Sequence, residues 1–206
     1  MPGMRNEWPE GSFYGFDEIY GSRVLDYQGP EFGWWRIPDQ YSLARLAELE
    51  LQKSTRQPLF LLFNTISTHM PFRPTPPYQA DWQRLFSAEP FEPAALQKSL
   101  ALLPEWSNMQ PAYAATLAYT FTYMSDFLRK HPDRDILWII LGDHQPPAIV
   151  SGEGARWDVP VHVVSANNEI IDALLQHGFV EGLTPADQSL GAMYQLPVTL
   201  MDVLDH

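Results

Sequence analysis

PLFLLFNT, residues 58–65, is the stretch on which the fold reading turns. Its apolar residues run without alternation and then give way to Asn64, Thr65, Ser67, Thr68 and His69. A short apolar run of this kind is the pattern of a strand buried on both faces, as in a parallel sheet. DILWIILGDH, residues 135–144, repeats the pattern and ends in Asp143 and His144. VPVHVVS, residues 159–165, reads as a third strand.

Helices separate these runs. SLARLAELELQK, residues 42–53, carries Leu43, Leu46, Leu49 and Leu51 mostly along one stripe, with Asp39 or Ser42 as its cap. Short helices are expected within 78–104. A long helix runs from Pro111 to about Lys130, its stripe being Tyr113, Leu117, Phe121, Met124 and Leu128. NEIIDALLQHG closes on Gly178, and PVTLMDVLDH forms the last helix. Strands alternating with helices predict an α/β fold with a mainly parallel sheet. The chain reads as a single domain over 1–206, with a long irregular segment at 1–40 and an α/β core at 41–206.

Composition narrows the function classes. The 206 residues include 13 Lys plus Arg against 25 Asp plus Glu, a net charge of −12. That balance argues against nucleic acid as a partner, because phosphate binding needs basic surface. Cysteine is absent, which excludes disulfides, thiol nucleophiles and thiolate metal ligands. Any metal must sit on oxygen and imidazole. No apolar stretch reaches the ~18 to 20 residues of a membrane span, and the opening MPGMRNEWPEG has no apolar core of a signal peptide.

Ligand sites of parallel sheets lie beyond the carboxyl ends of the strands. The strand readings place Ser67-Thr68-His69 and Asp143-His144 at that edge. A carboxylate beside an imidazole can hold a divalent cation, and a second histidine can donate to an anionic substrate oxygen. The plainer readings are a turn-capping Asp143 and a packed His69. His162 reads as a core or supporting residue, and His131 and His177 as helix C-terminal groups. Trp34-Trp35-Arg36 reads as a substrate platform or as loop packing.

FNTISTHMPF and ILGDHQPP, in that order and spacing, resemble two blocks of the alkaline phosphatase superfamily, in its sulfatase-like branch. Within it the chain is similar to the membrane-anchored phosphoethanolamine and lipoteichoic acid synthase-like enzymes. GFDEIYG with IPDQYSLARL, and PAYAATLAYTFTYMSDFLRK, extend the likeness over about residues 13 to 165. The resemblance implies Asp143 and His144 as ligands of a divalent metal, Mn or Zn. It implies His69 as the contact to substrate phosphate, with Arg5 or Trp8 in an upstream substrate-binding block. It implies a phosphate or sulfate ester of a small molecule, lipid or glycan as substrate, and an extracytoplasmic or periplasmic location with the membrane anchor outside this chain.

The family's nucleophile block and the carboxylate that ends its first strand have no match here. No apolar strand precedes residue 58. The chain is therefore expected to be the C-terminal portion of such a domain, truncated at its N-terminus and inactive alone. It would bind metal weakly, and self-association in the absence of the N-terminal segment is expected. A non-catalytic anion-binding module is the second reading. A small α/β serine hydrolase using Ser67 or Thr68 with His69 is the third. Ser67 and His69 share a face of an extended strand, but no G-x-S-x-G elbow is present.

Overall fold

The computed structural model describes residues 11–53, 57–132 and 135–205. Two compact units divide at Lys130 and His131.

The first unit is irregular chain packed around two helices. A single turn of 3-10 helix at Gly11–Tyr14 and the short α1, Ser22–Leu25, precede α2, Asp39–Leu46, which continues as a wider turn at Ala47–Leu51. A 3-10 turn at Arg84–Phe86, α3 at Pro93–Leu100 and α4 at Gln110–Lys130 follow. Phe32, Trp35, Ile37, Tyr41, Ile66 and Leu85 form the centre of the core. Phe32 and Arg36 exchange backbone hydrogen bonds of 3.1 and 2.8 Å, which folds Gly33-Trp34-Trp35 into a tight turn. Gly33 takes φ +51°, a conformation that a residue without Cβ adopts at little cost.

Helix α4 has the expected length, but its buried face is not the expected stripe. Ala112, Thr116, Tyr119, Thr120, Tyr123, Met124 and Phe127 are buried, and Phe121 is exposed. The face is turned back by one residue. This helix is apolar or hydroxyl-bearing nearly all round, so periodicity left several stripes open. The small side chains of Ala112, Thr116 and Thr120 favour a close approach, and α4 packs against α2.

The mainly parallel sheet expected of the chain is not what forms. Among the described residues there are seven α-helices and one two-stranded antiparallel sheet. Residues 57–66 take no regular secondary structure and belong to no ladder among the described residues. Phe60 is 78% exposed and Leu62 55%. Phe63 and Ile66, at the end of the run, are the residues of it that reach the core. An apolar run signals a demand for burial; a strand also needs a neighbouring backbone to take its N–H and C=O groups.

The second unit holds the sheet. β1, Trp138–Leu141, pairs with β2, Val161–Val164, in the register Trp138↔Val164 to Leu141↔Val161. A parallel return would need a crossover of a dozen or more residues, usually a helix that runs back along the strand. The helix between these strands is α5, Ala148–Ser151, a single turn, and the connection doubles back instead. Both strands are half-buried, not enclosed on two faces. Helix α6, Asn168–Gln176, starts on Asn167, whose Oδ1 accepts the Glu169 N–H at 2.9 Å. It ends as expected before Gly178, at φ +89°. A 3-10 turn at Met193–Gln195 leads into α7, Leu196–Leu204, which packs on α6. Leu174 and Val203 are the residues of this unit that are fully buried among those described.

Candidate functional site

Asp143 and His144 come just after β1, at the start of the β1–β2 connection, and both side chains are exposed. Gln145 holds this stretch in place. Its side-chain amide donates to the carbonyl of Asp158 at 2.6 Å and to that of Arg156, on the strand returning to β2. The backbone N–H of His144 donates to Asp143 Oδ1 at 3.0 Å.

The ring of His144 is fixed by its own chain. Nδ1 lies 2.7 Å from the carbonyl oxygen of Gln145. A carbonyl can only accept, so Nδ1 donates to it and Nε2 is the nitrogen left free to face a partner. Nε2 stands 3.7 Å from Asp143 Oδ2. Two donors on a tetrahedral ion with ligand bonds of about 2.0 to 2.1 Å sit about 3.3 Å apart, so a small rotation brings both onto one cation. A ligating histidine commonly donates its other ring N–H to a carbonyl in this way. The two residues thus fit a share of a divalent cation site. Among the described residues, no group of three or more His, Asp or Glu converges on one point.

His69 belongs to the first unit. Its Nδ1 stands 2.7 Å from the carbonyl of Met70, which makes Nδ1 the donor as in His144. Its ring meets the ring of Trp34 edge-on at 5.1 Å. The Trp34-Trp35-Arg36 cluster divides between core and surface. Trp35 is buried in the core, while Trp34 stays 45% exposed beside His69. Arg36 pairs with Glu31, and that pairing holds the Glu31 carboxyl below the usual carboxylate range. Arg5 and Trp8 lie outside the described residues.

Ser67 is not placed as a nucleophile. It is buried, and its hydroxyl donates to Asp39 at 2.6 Å. Asp39 is the residue whose part was not foreseen. It does not cap α2, whose N-cap is Pro38. It accepts the backbone N–H groups of Ile66, at 3.1 Å, and Ser67, at 2.8 Å. Burial pushes its carboxyl up to about 6, against the opposing pull of the Ser67 and Ile66 donors. Its neighbour Gln40 forms a reciprocal amide pair with the Gln79 backbone, at 2.6 and 3.0 Å. The signal that was available is polarity: Asp and Gln side by side at the start of an apolar helix.

His162 lies half-buried in β2 opposite Ile140. His177 ends α6, its N–H donating to the carbonyls of Ala173 and Leu174. A cleft of about 120 Å³ between α6 and α7, lined by Ile170, Val203 and Leu204 with Asn167 and Glu169, holds none of the candidate residues. Among the described residues no helix is long and apolar enough to cross a membrane.

No family model, no curated protein and no solved structure matches the chain.

Proposed function

We propose that this chain contributes to a metal-dependent hydrolase or phosphotransferase acting on phosphate or sulfate esters; Asp143 and His144 are the proposed metal ligands in the second unit, and His69, taken by itself in the first unit, is a proposed contact to an anionic oxygen. The observation that carries the reading is the shared preparation of the two histidines. Each ring donates Nδ1–H to the carbonyl of the next residue, at 2.7 Å, and each therefore offers Nε2 outward. For His144 that is the state of a ligand, beside the carboxylate of Asp143. For His69 a proton taken up at Nε2 makes an imidazolium that donates to a phosphoryl or sulfuryl oxygen.

A divalent cation such as Mn²⁺ or Zn²⁺ on Asp143 and His144 would supply Lewis-acid stabilisation of the ester oxygens. The residues themselves do the rest. Gln145 keeps the ligand loop against the returning strand, and Trp34 limits the positions open to the His69 ring. The resembled family's nucleophile has no counterpart in the sequence, so the chain alone is expected to turn over neither aryl phosphate nor aryl sulfate. Two ligands give weak metal binding, because affinity follows ligand number and geometry.

The test is calorimetric titration of the chain with Mn²⁺ and with Zn²⁺, together with aryl phosphate and aryl sulfate assays. Weak binding that disappears in the Asp143→Ala/His144→Ala double variant supports the reading. Binding unchanged in the double variant, or turnover that survives Asp143→Ala, defeats it.

A further inference from the structure

Asp39 is fully buried, and the donors it accepts among the described residues lie on a distant loop. Ile66 N–H reaches both of its oxygens at 3.1 Å, and Ser67 offers N–H and hydroxyl to Oδ2 at 2.8 and 2.6 Å. From that anchor a relay of backbone bonds runs outward. The His69 N–H donates to the Ile66 carbonyl at 2.9 Å, and the Phe72 N–H donates to the His69 carbonyl at 3.0 Å. Phe72 is buried and meets Tyr113 of α4 edge-on at 5.1 Å. The loop is thus pinned at both ends, with His69 between the pins and its ring edge-on to Trp34.

We propose that Asp39 is a positioning residue for His69: by clamping the 66–67 peptide from inside the core, it sets where the exposed imidazole stands against Trp34. This rests on the reading of His69 as the anion contact, which it deepens. The chemistry asks for a carboxylate. Two successive amide N–H groups and a hydroxyl converge on one side chain, and a carboxylate accepts with both oxygens and donates nothing. An asparagine there has one accepting oxygen and turns two donors toward donors. Asp39 is itself held on a rigid element, since the adjacent Gln40 N–H donates to Tyr119 Oη of α4 at 3.3 Å.

The experiment is NMR of the histidine rings and backbone amides of the full chain at a pH well above 6, where Asp39 is a carboxylate, without phosphate. Trp34→Ala first calibrates how far the indole displaces the His69 ring signals. Asp39→Asn is expected to move those signals most of the way to the Trp34→Ala position. It is also expected to speed amide exchange at Ile66 and Ser67 by about tenfold, with the signals of the first unit's core residues Phe32 and Leu85 in place. That last readout separates a local change from loss of structure. Ser67→Ala removes one of the donors and is expected to shift His69 less, in the same direction. His69 signals unmoved in Asp39→Asn while the two amides exchange faster would overturn the proposal, and so would unchanged exchange. If Asp39→Asn does not fold, Ser67→Ala decides, and an unmoved His69 overturns it. Inorganic phosphate added afterwards to the wild-type chain reports separately on the functional reading: a His69 ring indifferent to phosphate defeats that reading without touching the dependence on Asp39.

Discussion

Asp39 and Ser67, 28 positions apart, are joined by two hydrogen bonds: the Ser67 N–H and the Ser67 hydroxyl both end on Asp39 Oδ2. The pair ties the first turn of α2 to the loop that carries His69. It also places a titratable group where water does not reach, and a dependence of stability on pH follows.

Burial raises the Asp39 carboxyl to about 6 in the folded chain, from 3.8 for the free group. Between those values the folded state holds a proton that the unfolded state has lost. Stability from this group is full below 3.8 and falls as pH rises through about 6. Two pH units correspond to about 3 kcal/mol. Tyr119 and Tyr123, the other titratable groups facing it, are raised well above 10 by burial and stay neutral there. Urea unfolding of wild type and Asp39→Asn at pH 4 and pH 7 should show the wild type losing roughly that amount relative to the variant. Parallel pH profiles would refute the assignment.

Asp126 has the opposite sign. Burial alone would raise its carboxyl, but hydrogen bonds from Tyr78 and Trp82, with Lys130 and Arg129 nearby, bring it below the usual range. Tyr78 Oη and Trp82 Nε1 each donate to Oδ2 at 2.7 Å, which ties α4 to the 78–82 loop. Asp126→Ala should lower stability by about 1 to 3 kcal/mol, the cost of leaving charge-assisted donors unmet. The contribution should fade as pH falls through the carboxylate range. Thermal melts followed by tryptophan fluorescence read both effects, and a variant as stable as wild type at pH 7 would contradict them.

Gln145 anchors the candidate ligand loop without supplying a donor to the cation. Gln145→Ala frees Asp143 and His144 from the strand leading to β2 and should weaken Mn²⁺ or Zn²⁺ binding by about tenfold, the lower end for supporting residues of metal sites. Calorimetry on the variant with both ligands intact is the measurement. Equal affinity would show that the loop needs no such anchor.

Residues 59–62 expose apolar side chains, and their backbone joins no ladder among the described residues, a combination that favours association. The net charge of −12 works against it. Light scattering is expected to show self-association of the wild-type chain, reduced in Phe60→Lys/Leu62→Lys. Because Phe60 and Leu62 are exposed, the melting temperature should move little. A monodisperse wild-type monomer would count against this.

Much of the helical structure was legible from residues close in sequence. The span of α4, the end of α6 at Gly178, the start of α7 and the juxtaposition of Asp143 with His144 all follow from local rules. Helical hydrogen bonds close between neighbours four apart, and caps act within a turn, so the information lies within each segment. The direction of the sheet, the irregular course of 58–65, the separation of Trp34 from Trp35 and the hold of Asp39 on Ser67 were decided by tertiary structure. Strand pairing and buried carboxylate contacts join residues tens of positions apart, and an apolar run specifies that it would be buried without specifying by what. The pairing of β1 with β2 settled the strand direction, and the path of 15–38 sorted which tryptophan entered the core. Asp39, the most consequential polar residue of the first unit, was readable only as a helix-start residue until the loop it holds came within 3 Å.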